Sequence, residues 1–164
     1  MALARKPLET THIDLEKDVR KRVCDILQQA LADSTDLVCQ AKVAHWNVKG
    51  PHFIALHKLF DDHYAEMAEH VDTIAERMGA LGGVVMGRVQ DSAKSTRIPE
   101  YPMNLTDGMD HVSALAKSFS VFSNEIRHDI DKCEELDDKV TADILNAITA
   151  AVDKNIWFLE AHLR

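Results

Sequence analysis

The chain has 164 residues, of which 46% are hydrophobic, and a formal net charge of −8 at pH 7. This length supports one domain with a sizeable core, and the apolar content excludes a disordered chain. The negative charge disfavours a broad nucleic-acid surface and suits the handling of cations. Three cysteines without a pairing pattern (Cys24, Cys39 and Cys133) predict reduced thiols in a cytoplasmic protein. We expect neither a membrane span nor a signal peptide, because no apolar run approaches ~20 residues and the start lacks an apolar leader.

Apolar residues recur at three- and four-residue steps, which predicts four long helices and no strand. Residues 1–12 are predicted to form a flexible arm and residues 13–164 the bundle domain. A helix N-cap is expected at Thr106–Asp107. The connection 84–105 is long and is expected to hold a short helix near residues 90–94, which is typical of a ferritin-like bundle with a crossover between its second and third helices. The predicted long helices span about 14–47, 52–80, 107–134 and 140–163.

The second predicted helix carries two pairs of metal-ligand residue types, His57 with Asp61 and Asp72 with Glu76. Residues four apart lie on one helix face, so each pair has the spacing to hold one metal ion. The midpoints of the pairs are about 22 Å apart at 1.5 Å per residue, too far to share an ion within one chain. A two-fold axis near residues 66–67 would set each pair against the other pair of a second copy, giving two equivalent sites. The same residues also fit the solvated face of an amphipathic helix.

Several histidines and a tryptophan near this helix have more than one interpretation. His45, in the last turn before the Gly50–Pro51 break, is either a capping residue favoured by the helix dipole or a metal ligand. Trp46 is either a core residue or, beside a redox metal, an oxidisable neighbour. His63 and His70 are not needed by the metal geometry and are interpreted as surface or interface groups.

Six sequence motifs are spread along the chain from residue 42 to residue 160. In chain order they are Lys42-Val-Ala-His45-Trp46-Asn47-Val-Lys-Gly50, Phe53-Ile-Ala-Leu-His57-x-x-Phe-Asp61, Asp72-Thr-Ile-Ala-Glu76-Arg-x-x-x-Leu81-Gly82-Gly83, Tyr101-Pro102, Thr141-Ala-Asp-Ile-Leu145 and Trp157-Phe-Leu-Glu160. Together they resemble the Dps family, the DNA-binding proteins from starved cells, within the ferritin-like group. The resemblance implies a hollow dodecamer with a ferroxidase centre at each dimer interface.

The resemblance also implies the ligands and the reaction. His45, His57 and Asp61 would come from one subunit and Asp72 and Glu76 from its two-fold mate, with Trp46 beside the centre. Fe(II) suits imidazole and carboxylate ligands, and zinc could compete for the same set. The implied activity is oxidation of Fe(II), typically by hydrogen peroxide or else by oxygen, followed by storage of ferric mineral and protection of DNA from oxidative damage.

The resemblance also implies iron entry through pores and DNA binding. Iron would enter through acidic three-fold pores, for which Glu125, Asp129 and Asp131 are the candidates here, although they also fit ordinary solvated acids. DNA binding usually needs a basic mobile terminus, and the arm offers only Arg5 and Lys6. We therefore expect weak or absent DNA binding, with nucleoid association left open.

The sequence leaves two alternatives open. One is a nucleoid-compacting, DNA-binding Dps protein with a minor role in iron chemistry. The other is a di-iron site inside one bundle, which requires two Glu-x-x-His motifs on inward helix faces. Glu125–His128 is one such motif, but the only other, Glu9–His12, lies in the predicted arm.

Overall fold

The structure is a computed structural model that describes residues 7–164, and these residues form five helices and no strand. The four long helices and the short one in the connection are all confirmed, and their ends differ from the predicted ends by only a few residues. The helices are α1 (Lys17–Asn47), α2 (Phe53–Ala80), α3 (Val89–Ser95), α4 (Gly108–Glu135) and α5 (Lys139–Ala161).

The four long helices close into a bundle. Helix α1 packs on α2 and on α4, α4 packs on α5, and α5 completes the bundle against α2. The connection from α2 to α4 places α3 against α1. Apolar side chains from all four long helices fill the interior, among them the fully buried Phe60, Phe119, Phe122, Leu27 and Leu37. None of the helices in residues 7–164 is long and apolar enough to cross a membrane.

Local signals fix where the helices begin and end. The side chain of Asp107 accepts a hydrogen bond of 2.7 Å from the Met109 N–H, so the predicted N-cap is confirmed at this residue. Asp138 caps α5 through the Thr141 N–H at 3.0 Å. Gly50 adopts φ +100° in the turn between α1 and α2, a conformation that side-chain-bearing residues rarely adopt.

The described part of the predicted arm is attached to the end of α2. The Glu9 N–H donates to the Gly82 carbonyl at 2.8 Å, and Arg20 donates to the carbonyls of Glu9 and Leu81 at 3.2 and 2.8 Å. Gly82 has φ +82°, and a Cβ there would lie 2.5 Å from the Glu9 carbonyl oxygen. These contacts require glycine at this position. Arg5 and Lys6 lie outside the described residues.

A buried ion-pair cluster ties the connection to the bundle. Arg97 donates to Asp33 through its backbone N–H at 2.7 Å and its Nε at 2.8 Å, and its guanidinium also pairs with Glu125 and Asp129. Asp33 and Asp129 are 0% and 1% exposed. Burial raises the pKa of Asp33, while its hydrogen bonds and ion pair with Arg97 act in the opposite direction. Lys132 also pairs with Asp129 at 2.7 Å, but among the described residues only the Arg97 guanidinium bridges all three carboxylates.

Replacing Arg97 with methionine should destabilise the fold by about 3–5 kcal/mol, because the buried Asp33 loses its cation and Asp129 keeps only Lys132. Urea unfolding at fixed protein concentration measures the change. Arg127→Met is the matched control, since its pair with Asp153 is 47% and 44% exposed and should contribute only about 0–1 kcal/mol. Equal losses in the two variants would contradict the prediction.

The prediction that His63 is a surface or interface group is wrong. Its side chain is 2% exposed and packs 5.3 Å from the Phe119 ring, and its Nε2 is buried without a hydrogen-bond partner among the described protein atoms. Position 63 falls on the apolar stripe that also includes Phe60 and Met67, which explains its burial. Burial lowers the pKa of His63 to about 4, although a hydrogen bond with Asn155 and the charge of Glu66 act in the opposite direction. His70 is half-buried, and burial lowers its pKa as well.

Because the pKa of His63 is lower in the folded chain than in the unfolded chain, acid favours the unfolded state, which takes up the proton first. The stabilisation is complete near pH 7 and is lost as the pH falls from about 6.5 towards about 4, by about 3 kcal/mol for each chain. His63→Gln should flatten the dependence of unfolding free energy on pH by this amount. His52→Gln, at an exposed histidine, is the control, and a profile unchanged in His63→Gln would refute the assignment.

Candidate metal centre

Two histidines from neighbouring helices lie face to face beside the turn that joins α1 to α2. The rings of His45 and His57 are stacked with centroids 3.7 Å apart. His45 Nδ1 lies 2.7 Å from the His57 carbonyl oxygen, and His57 Nδ1 lies 2.8 Å from the His45 carbonyl oxygen. A carbonyl can only accept, so each Nδ1 carries the proton and each Nε2 keeps its lone pair. Both imidazoles are thereby held in the tautomer that binds a metal through Nε2.

The neighbouring carboxylate is engaged by a lysine of the same chain. Lys42 Nζ forms an ion pair with Asp61 Oδ1 and lies 4.3 Å from the centroid of the Tyr64 ring. The hydrogen bond from Lys42 lowers the pKa of Asp61. The same carboxylate oxygen is 3.8 Å from His45 Nδ1, too far for a hydrogen bond. The ion pair with Lys42 therefore competes for the negative charge that Asp61 could offer a metal ion.

The second pair of predicted ligands lies far along the same helix. Asp72 and Glu76 are exposed, and α2 runs without interruption from Phe53 to Ala80. The midpoints of the two pairs are therefore about 22 Å apart along one helix axis. Within residues 7–164, no three histidine, cysteine or acidic side chains are grouped so that they could hold a metal ion. One chain thus presents two half-sites.

The other predicted site residues are Trp46 and the three pore candidates, and they differ in exposure and in their partners. Trp46 is not in the core of the chain, because 67% of its surface is exposed. Of the pore candidates, Glu125 and Asp129 are engaged by Arg97, while Asp131 is exposed. Because Glu125 pairs with Arg97, it is not available as the inward-facing ligand that a di-iron site inside one bundle would need.

Lys42 is the residue near the site that sequence reasoning did not single out. It precedes His45 by three residues and so lies on the same face of α1. Its contact with Asp61 depends on how α1 and α2 are aligned, which local spacing does not reveal.

The fold agrees with what the chain resembles. The model of the ferritin-like domain matches residues 24–164, which places the chain in the class of ferritin-like helical bundles. The "DNA protection during starvation protein" of Agrobacterium fabrum is 41% identical over 154 residues, covering 94% of this chain and 95% of that protein.

Solved structures give the same result. The Dps protein of Mycobacterium smegmatis superimposes with a TM-score of 0.90 at 31% identity, covering 95% of each chain. The Dps protein of Microbacterium arborescens in its high iron form superimposes with a TM-score of 0.86 at 32% identity, covering 94% of this chain and 99% of that one. The chain belongs to the Dps family.

Lys42 should compete with a divalent metal for Asp61. Lys42→Gln removes a positive charge beside the half-site, so affinity for Co(II) or Zn(II) should rise by up to about fivefold, the range expected for a partly exposed ion pair. Calorimetric titration of the metal-free protein measures the affinity. Lys58→Gln, at an exposed lysine of the same helix, is the control, and an unchanged or weaker affinity in Lys42→Gln would refute the competition.

Proposed function

We propose that this protein is a ferroxidase that oxidises Fe(II) at centres shared by two copies and stores the ferric product. The observation that carries the proposal is the stacked pair of His45 and His57, whose Nδ1 protons are fixed on each other's backbone carbonyls. Two imidazoles that keep Nε2 for a metal, together with the nearby carboxylate of Asp61, are donor types that suit Fe(II).

The second copy completes the centre. An axis at residues 66–67 of α2 sets Asp61 against Asp72 of the second copy and His57 against its Glu76. Two imidazoles and three carboxylates then surround one site. The three negative charges offset the positive charge that grows as Fe(II) becomes Fe(III). The neutral imidazoles hold Fe(II) without adding charge, and zinc competes for the same donors.

The oxidant we propose is hydrogen peroxide, with oxygen as the other candidate. Two Fe(II) ions each give up one electron, the O–O bond of peroxide is cleaved, and two protons are taken up to form two waters. The paired transfer leaves no hydroxyl radical behind. Trp46, which adjoins His45 in the sequence, would be the first oxidisable side chain to meet a stray radical.

We propose further that the dimers assemble into a hollow dodecamer that keeps the ferric mineral in its interior, in the cytoplasm. A high iron form of a structural relative supports an iron-storing cage. Such storage protects DNA by removing Fe(II) and peroxide, which agrees with the name of the Agrobacterium fabrum relative.

The alternative of a DNA-compacting protein with little iron chemistry has less support. Twelve copies at −8 each carry about −96, which repels phosphates at long range. The predicted weakness of DNA binding stays a prediction, as does iron entry through a pore lined by Glu125, Asp129 and Asp131.

A complementation experiment tests whether the centres are shared. His57→Ala and Asp72→Ala should each abolish most peroxide-dependent Fe(II) oxidation. When the two variants are co-assembled in equal amounts, a mixed dimer holds one centre with both defects and one intact centre. About a quarter of all centres are then intact, and about a quarter of the wild-type rate should return. The rate of Fe(III) formation, followed by absorbance, is the readout.

A second mixture is the control. His57→Ala co-assembled with Asp61→Ala should restore no Fe(II) oxidation. Those two changes affect the same half-site, so every centre carries at least one defect. Recovery in that control, or none in the first mixture, would contradict shared centres. Wild-type oxidation in both single variants would refute the ligand assignment itself.

A further inference from the structure

A large groove lies at the opposite end of the α1–α2 pair from the two stacked histidines. Its volume is about 570 Å³, and its floor is formed largely by Cys24, Met78, Val84 and Met86. Charged side chains near the start of α1, such as Lys21, form its rim. We name this feature the α1 groove.

The walls of the α1 groove are held in place by specific contacts. The Gln28 side chain donates to the Met86 carbonyl at 3.0 Å and accepts from the Met86 N–H at 3.0 Å. Gly83 packs so closely that an added Cβ would lie 2.8 Å from Cys24 Sγ and 2.8 Å from Met78 Cγ. The loop after α2 is thus fixed along α1, and the α1 groove is formed before anything enters it.

At the other end of the helix pair, large apolar side chains face outward. Trp46, Phe53 and Ile54 are 67%, 42% and 61% exposed, and we name them the apolar tip. They flank the turn from α1 to α2. Trp46 and Gln28 are about five turns apart on α1 at 3.6 residues per turn, so the indole and the groove wall lie on the same helix face, about 27 Å apart.

The register between the two helices sets what a second copy brings to the α1 groove. His45 lies beside His57, and Cys24 lies beside Met78, so α1 and α2 run antiparallel at a constant offset. The axis that sets His57 against Glu76 of the second copy also sets Phe53 against Ala80 of that copy. It places Trp46 level with Met78 and Cys24 of the second copy, the floor of its α1 groove.

We infer that Trp46, supported by the rest of the apolar tip, docks into the α1 groove of a second copy of this chain. The inference rests on the two-fold arrangement in the proposed function and extends it, because it assigns Trp46 an anchoring role across the interface. An indole buries roughly 150–250 Å² when docked, and its N–H can reach the polar rim. Two such contacts, one at each end, would flank the two shared centres.

Tryptophan fluorescence tests the docking in the assembled protein. In a Trp157→Phe background, the emission comes from Trp46 alone. We expect blue-shifted emission that is protected from acrylamide. Val84→Glu places a charge in the α1 groove at a residue that is 45% exposed, and it should shift the emission to the red and remove the protection. Val140→Glu, at a valine 58% exposed on α5, is the matched control and should change neither.

Mixed assemblies show whether the groove belongs to another copy. A chain with Trp46, Trp157→Phe and Val84→Glu is co-assembled with an equal amount of a chain that has Trp46→Ala, Trp157→Phe and an intact groove. About half of the Trp46 side chains should regain protection, because about half pair with an intact groove. Trp46 that is open to acrylamide in the unmodified groove, or no recovery on mixing, would overturn the inference.

The other occupant to test is the chain's own amino terminus, since Leu8 lines the α1 groove. If that segment fills the groove, Trp46 is unprotected in the full chain and becomes protected when residues 2–6 are removed, which would also overturn the inference. Fe(II) oxidation is measured on the same samples. Normal Fe(II) oxidation with an unprotected Trp46 would refute the docking and support the ferroxidase. A protected Trp46 without Fe(II) oxidation would support the docking and refute the ferroxidase.

Discussion

The unbroken course of α2 is the constraint on which the rest of the structure depends. Because the helix continues from Phe53 to Ala80, its rise of 1.5 Å per residue keeps the His57–Asp61 pair away from the Asp72–Glu76 pair. Neither pair alone supplies the ligands that a transition metal usually takes. The same rigidity makes the separation exact, so a second copy related by a two-fold axis meets both pairs at once. A bend in α2 would lose this match at both ends.

The alignment of α1 with α2 is the second determinant. The two Nδ1–H groups bond the backbone of the opposite helix, so this alignment fixes which nitrogen of each imidazole carries the proton. The same alignment brings Lys42 within reach of the Asp61 carboxylate, with which it forms an ion pair. Arg97 forms ion pairs with Asp33 and Asp129 in the interior. The partly exposed ion pair of Lys42 with Asp61 costs less free energy to break than the ion pairs of Arg97 with the buried Asp33 and Asp129, because an unpaired charge is costlier in the interior.

The helices and the half-sites could be predicted because both depend on local spacing. Apolar periodicity located every long helix, Gly50–Pro51 marked the break before α2, and the i,i+4 pairs needed only the geometry of one helix. The errors concern contacts between residues far apart in the chain. His63 looked like a surface group from its residue type, although Phe119 and Asn155 enclose it in the bundle. The ion pair of Lys42 with Asp61 and the cluster around Arg97 required the packing of whole helices, which no single helix specifies.

A centre divided between copies links metal binding to association. With such a centre, each copy would bind metal more strongly when its partner is present, and by reciprocity metal would strengthen the pairing by the same factor. The binding energy available from exposed half-sites is small, because Lys42 and water compete for the same carboxylates. Apolar contacts away from the centre have no such competitor, and their strength grows with the area that they remove from water. A two-fold interface in which Trp46 and its symmetry mate anchor both ends would hold the carboxylates and imidazoles at a fixed distance with or without iron. The ligands would then be free to bind Fe(II) only weakly, which suits a site whose product must leave for the mineral.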